Sequence, residues 1–187
     1  MVSGYALFSD KRMIDVLAFK PKRVLQDREY YRLITGGFVH GGLGHLAFNM
    51  ITLFYFGPAL EIRLGSVGFL ILFFGAELAA HGLTILMHKD SPSYSAVGAS
   101  GAISGVVISF ALFYPQRAIY LFFIPIGIPA WIFGFAFIMY SAWVMTRKNK
   151  SQPGGIAHEA HLGGALGGLL LTLLLDFSAW STFWSQM

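Results

Sequence analysis

Two neighbouring stretches decide the fold class: Leu43–Leu60, LGHLAFNMITLFYFGPAL, and Val67–Met87, VGFLILFFGAELAAHGLTILM. Each approaches the roughly 20 residues a helix needs to cross a bilayer, and only Glu77 and His81 interrupt the second with strongly polar groups. Three more apolar stretches follow: Ser100–Tyr114, stopped by Pro115; Ala118–Val144, without a charge; and Leu162–Leu175, continuing past Asp176 towards Trp180. The pattern predicts an all-α polytopic membrane bundle with five membrane helices. Ser100–Tyr114 is the short one. At ~1.5 Å per residue it covers about 22 Å, less than a hydrocarbon core of about 30 Å. It is therefore expected to start below one membrane surface, in a loop surrounded by protein or by a water-filled cavity. In the fourth stretch Pro125 and Pro129 bracket Gly127, which fits either a kink or an interfacial lead-in before Trp131 starts the helix proper.

Composition agrees. Apolar residues make up 56% of the 187 and charged residues 12%, with a mean hydropathy of +0.63; a soluble domain carries about 25% charge. The chain has no cysteine, which excludes disulfides and thiolate metal sites. Seven of the 13 Lys and Arg lie within the first 32 residues and three more at 147–150. Because these clusters flank apolar spans, they point to a membrane surface and not to nucleic acid. Residues 1–37 read as a polar interfacial segment with a short helix near Lys11–Phe19, and residues 38–187 as the bundle. Met1–Phe8 is too short, and too closely followed by Asp10, Lys11 and Arg12, to read as a signal peptide.

Gly98-Ala99-Ser100-Gly101 opens the short helix. A serine there sits beside unpaired backbone N–H groups at the positive end of the helix dipole, where an oxyanion is stabilised. The same four residues also suit a simple N-cap after a glycine turn. Ala160-His161-Leu162-Gly163-Gly164 opens the last helix, and an intramembrane histidine is a functional candidate. A nucleophilic serine needs a base within reach. Counting spans, the two helices run in the same direction, so both N-termini share a side. Gly101 and Gly105 on one and Gly164 and Gly168 on the other have the spacing that lets helix backbones approach closely in lipid. His45 and Asn49, four apart, share a helix face and offer donors for an oxyanion or for interhelical bonds. His40 is expected at the interface. Glu77 and His81 are expected to form a buried structural pair, and Glu61 and Arg63 an interfacial pair closing the turn at Gly65. Zinc is disfavoured: the spacing in His158-Glu159-Ala160-His161 puts Glu159 off the face the two histidines share.

Taken together, Tyr31-Arg32, His40, His45-x-x-x-Asn49, Glu61-x-Arg63-x-Gly65, Gly98-x-Ser100-Gly101 and Ala160-His161-x-x-Gly164 with Gly168 resemble the rhomboid intramembrane serine proteases, in the family's order and over about residues 19–175. The resemblance implies a rhomboid-like bundle and a Ser–His dyad without an acidic third member. Ser100 attacks and His161 shuttles the proton. His45, Asn49 and the Ser100 N–H hold the oxyanion, and Gly98, Gly101, Gly105, Gly164, Gly168, Arg32, Glu61 and Arg63 give structural support. It implies transmembrane protein substrates, a lipid bilayer as surroundings and no cofactor. The family places a further helix ahead of the loop holding Tyr31-Arg32. Residues 1–12 cannot span a bilayer, so the first helix is expected to be missing, because the chain starts inside a longer protein or because the bundle has five helices. Ser104 stands where the family often carries an aromatic ring against the histidine, so that ring's role needs another source.

Eleven of the 13 basic residues fall on the side carrying Ser100 and His161. The positive-inside rule would make that side cytoplasmic; the resemblance places it away from the cytoplasm, in a cell (inner) membrane, and is preferred here. A catalytically inactive relative that binds membrane clients is the alternative function. A small transporter is a third, for which no internal repeat is visible. Substrate identity and oligomeric state are left open.

Overall fold

The computed structural model describes residues 2–8, 10, 12–120, 125–147 and 157–187; most of the loop expected at 147–155 lies outside them. Four short helices come first: α1 (Val2–Phe8), α2 (Arg12–Leu17), α3 (Pro21–Gln26) and α4 (Arg32–Thr35), then a 3-10 turn at Gly36–Phe38. The expected single helix near Lys11–Phe19 is thus one of a group. Arg32, in α4, is buried, and its guanidinium ties α4 to the end of α2 and to Glu29. It bonds the Glu29 carboxylate and donates to the carbonyls of Asp15 (3.1 Å) and Ala18 (2.7 Å). A buried cation persists only with such partners.

The helix α5 runs Leu43–His88 and is broken at Gly65, whose φ of 72° and ψ of 161° are not helical. The chain reverses there. The loop at Gly98–Gly101 touches both His45 and Glu77, which a straight helix would hold about 48 Å apart. Phe69 likewise reaches back to Gly57. Glycine suits this turn because a positive φ is open to it without a Cβ penalty. Glu61 and Arg63 do not pair across the turn. Glu61 accepts from Ser66 Oγ (2.6 Å), while Arg63 reaches Asp176 (3.0 Å) and Ser178 (2.6 Å). The turn places Ser66 nearer to Glu61 than Arg63, and the free guanidinium reaches the junction after the last long helix.

After a loop, α6 (Ser100–Phe113) forms the centre of the bundle, buried from Gly101 through Phe113. At 14 residues it spans about 21 Å. A two-stranded antiparallel pair, Ala118–Ile119 with Ile128–Pro129, precedes α7 (Ala130–Arg147). The prolines and Gly127 therefore form a lead-in, and the helix starts after the second proline, where the missing N–H is tolerated. The helix α8 (His158–Leu175) begins four residues earlier than the apolar run and stops at Asp176, and α9 (Ser178–Gln186) is separate. The expected continuation towards Trp180 fails because the Asp176 side chain and carbonyl bond the N–H groups of Ser178 and Ala179. Leu43–His88 and His158–Leu175 are long and apolar enough to cross a membrane.

The centre is held by backbone contact between α6 and α8. A Cβ on Gly164 would overlap the Gly101 carbonyl, and one on Gly168 would overlap the Gly105 backbone. One turn further the Ser109 and Thr172 hydroxyls share a hydrogen bond; with one proton each, one donates across to the other, and the accepting hydroxyl donates to the carbonyl one turn earlier in its own helix. All three pairs keep the same 63-residue offset, so the helices run parallel and in register. The expected glycine contact is present, with a third rung of hydroxyls. In lipid, where no hydrophobic drive pushes helices together, such close packing and interhelical bonds replace it.

Gly164→Ala is expected to lower stability by about 2–3 kcal/mol through overpacking. Gly82→Ala, where a Cβ meets nothing within 4 Å, is expected to be neutral or to stabilise by up to about 1 kcal/mol. Unfolding of both variants in detergent measures the contrast; equal effects would contradict the interlocked geometry.

Candidate active site

Ser100 is the first residue of α6, and the loop before it is pinned by backbone bonds. Phe19 and Ala96 exchange N–H···O bonds (2.9 Å each), and Gly98 N–H donates to Gly36 C=O (2.9 Å). Gly98 then turns the chain with φ of 101°. It must be glycine for a second reason: a Cβ there would enter the His45 ring. From the second arm of α5 the buried Glu77 carboxylate accepts the Ala102 N–H (2.9 Å). It thereby satisfies one of the unpaired donors at the start of α6, next to the serine. Its neighbour His81 stacks on Phe19 and meets the Leu33 carbonyl (3.0 Å). The pair expected to be structural thus ties three segments to the start of the serine helix.

His161 lies in the first turn of α8, and one cavity is lined by Ser100, His161, His45, Asn49 and Ser104. The cavity runs between the first arm of α5, at Phe48, and α7, at Phe133 and Phe137. Among the described residues no hydrogen bond joins the Ser100 hydroxyl to His161; the two face the same space from adjacent helix N-termini. Apo sites often show such loose geometry. Ser104 donates to the Ser100 carbonyl (2.7 Å) and supplies no ring. The ring comes from α7: Phe137 stacks on His161 with centroids 5.7 Å apart and planes 30° apart. Further along the same cavity, the buried Glu159 accepts from the Tyr94 hydroxyl and lies 3.1 Å from His88 Nε2. Burial and the Glu159 carboxylate push the Tyr94 phenol well above its ordinary range, so it remains a donor. This cluster fastens the loop ahead of Ser100 to the helix that carries His161.

His40 is buried, at 2% exposure. Its Nε2 meets Asn49 Nδ2 at 2.9 Å and its Nδ1 meets Ser3 Oγ at 2.7 Å. The polar partners on α1 and α5 make burial tolerable. Asn49 is itself fully buried. Sequence reading missed the His40–Asn49 bond, the Phe137 ring and the Glu77 cap. The only advance signal was that these residue types recur within apolar stretches. Arg32 lies among the short N-terminal helices and Gly101, Gly105, Gly164 and Gly168 lie in the seam between α6 and α8, while Glu61 and Arg63 lie at the opposite end of the bundle, on either side of Ile62, which lines the far part of the cavity.

Comparison with known proteins gives the class: residues 27–176 match the rhomboid domain, so the chain belongs to the rhomboid family of integral membrane proteins. It is 31% identical over 162 residues to rhomboid protein 1, mitochondrial, of Saccharomyces cerevisiae, covering 81% of this chain and 45% of that one. It is 29% identical over 169 residues to RHOMBOID-like protein 12, mitochondrial, of Arabidopsis thaliana, covering 82% and 47%. It is 29% identical over 174 residues to the rhomboid protease GluP of Bacillus subtilis, covering 90% and 30%. The chain spans less than half the length of each of these relatives.

Burial, reinforced by the neighbouring His45, pulls the His40 imidazole from its ordinary 6.5 to about 4. Between these values the unfolded chain binds a proton that the folded chain does not, so stability rises with pH across that window. The unfolding midpoint in detergent should therefore be highest above pH 6.5 and drop as the pH falls towards 4. The drop should be shallower in His40→Gln; an identical slope in both proteins would argue against a neutral buried His40.

Proposed function

We propose that the chain is an intramembrane serine endopeptidase cutting peptide bonds in or near transmembrane segments. The observation that carries this is the convergence of Ser100 and His161, from two parallel helices locked at Gly101–Gly164, on one cavity shared with His45 and Asn49. Family membership and the resemblance to a bacterial rhomboid protease support it. In the proposed reaction His161 takes the Ser100 proton as Oγ attacks the scissile carbonyl, then returns it to the leaving amine. The Ser100 N–H, Asn49 and His45 receive the developing oxyanion. Phe137 limits rotation of the imidazole, the part an acidic third member or a ring on the serine helix would otherwise play. Five membrane crossings are proposed: the two arms of α5, then α6, α7 and α8, with α6 short enough to leave its serine below the surface in a hydrated cavity.

A second reading, a rhomboid-like protein that holds membrane clients without cutting them, is favoured by one observation: the described residues include no hydrogen bond between Ser100 and His161. A serine-reactive fluorophosphonate separates the two. Labelling should be lost in both Ser100→Ala and His161→Ala, with cleavage of a membrane reporter falling by a factor on the order of 10⁴ or more. Undiminished cleavage by Ser100→Ala would refute the protease reading. Client binding with no cleavage by the wild type would favour the second.

The cavity side is proposed to face away from the cytoplasm in a cell membrane. Because the chain has no cysteine, an introduced thiol reports alone. A membrane-impermeant maleimide should label Ser93→Cys on intact cells, and Gln116→Cys only after lysis. The reverse pattern would invert the proposed orientation.

A further inference from the structure

The short helix α1 contributes one polar side chain to the interior. Ser3, 5% exposed, lies 2.7 Å from the Phe38 carbonyl and 2.7 Å from His40 Nδ1. A serine hydroxyl has one proton. The Phe38 carbonyl can only accept, so Ser3 donates there. His40 must then donate its Nδ1–H to Ser3 Oγ, which makes Nε2 an acceptor. Facing that nitrogen at 2.9 Å is the amide nitrogen of Asn49, which donates one N–H to it and keeps its second. The direction of every bond follows from one carbonyl oxygen. On the other side of the amide, Asn49 Oδ1 is buried with no hydrogen-bond partner among the described residues. Nothing on the oxygen side therefore orients the group.

We infer that Ser3 and His40 are positioning residues for the oxyanion donor Asn49, with α1 setting through them which atom of the amide serves the cavity. This rests on the protease reading above. With the opposite His40 tautomer, Nε2–H would demand an acceptor, and the amide would turn its oxygen towards the imidazole. A carbonyl oxygen would then stand in place of the donor, and its lone pair would repel the developing charge. Hydroxyl, tautomer and amide thus act as one unit. The element that begins 41 residues ahead of the first apolar span becomes part of the site's assembly.

The test has two arms, both on the full chain in detergent micelles. In the first, two-bond ¹H–¹⁵N spectra of ¹⁵N-histidine protein, assigned by the signal absent in His40→Gln, read which ring nitrogen carries the proton. The expected result is Nδ1–H in the wild type and in Ser3→Thr, and a move to Nε2–H in Ser3→Ala. In the second, cleavage of a membrane reporter should show kcat lowered about tenfold in Ser3→Ala, a part of the ~10²–10³ that loss of a whole oxyanion donor costs. KM should be little changed, and Ser3→Thr should restore the rate. Ser3→Ala should have no further effect in Asn49→Ala, since residues acting as a unit are not additive. Equal losses in both backgrounds, or an unmoved tautomer in Ser3→Ala, would overturn the inference while leaving the protease reading intact. A wild type that shows the Nδ1–H tautomer yet cuts nothing would overturn the protease reading, and the positioning role with it.

Discussion

Contact of backbone on backbone between α6 and α8 is the constraint from which the rest of the bundle follows. Water drives apolar faces together in a soluble protein; lipid does not, and helices associate there through close packing and hydrogen bonds. Gly101 against Gly164 and Gly105 against Gly168 leave no room for a methyl group between the chains, and Ser109 with Thr172 adds a hydroxyl bond at the next turn. Three successive contacts at one offset fix rotation and sliding together. Ser100 and His161, each within the first turn of its helix, are then brought to a common level by packing alone. The same tightness puts α6 at the centre of the bundle, with neighbours and a cavity around its start.

The loop that delivers Ser100 is held by polar contacts of a different kind. Residues 96–98 are bonded to Phe19 and Gly36 through the backbone, and Glu77 takes the Ala102 N–H from the side. Unpaired N–H groups at a buried helix start cost about as much as lost hydrogen bonds, so a carboxylate there serves the helix first. The segment before α5, polar by composition, is therefore a scaffold for the serine loop, and not merely a surface covering.

What could be read in the chain beforehand was whatever depends on local spacing. Glycines four apart mark a helix face whatever else surrounds it, so Gly101, Gly105, Gly164 and Gly168 could be paired before any coordinates. Continuing the count would have reached Ser109 and Thr172. His45 and Asn49 were legible for the same reason. Partners chosen by the tertiary fold were not. His40 stands five residues before His45 and outside the helix that carries Asn49, so nothing in its spacing shows that it meets Asn49. Phe137 is one of many aromatic rings in an apolar stretch, and only the packing of α7 on α8 singles it out. Glu61 and Arg63 lie two apart, which no helix turns to a common face, and each found a partner elsewhere. Helix ends were set by side chains that bond nearby N–H groups, as at Asp176, or by prolines whose effect depends on which side of the turn they fall.

The two ends of the bundle are fastened with unequal strength, and the magnitudes say which end governs the site. At the far end Arg63 bonds Asp176 with side chains 40% and 26% exposed, and its guanidinium lies 5.0 Å from the centre of the Phe113 ring. An exposed pair contributes about 0–1 kcal/mol and an exposed cation–π contact about 0.5–1 kcal/mol. These set the direction in which the chain leaves α8 more than they hold the fold. At the cavity end Arg32 is 4% exposed at its side chain and bonds Glu29 and two carbonyls. Only the cation of this pair is buried, Glu29 being 23% exposed, but stripping the partners from so buried a charge costs more than loosening an exposed pair. That end also carries the backbone bonds of Phe19 with Ala96 and of Gly36 with Gly98. The stronger ties thus lie at the end of the bundle that holds Ser100 and His161. The far end is the more loosely tied of the two.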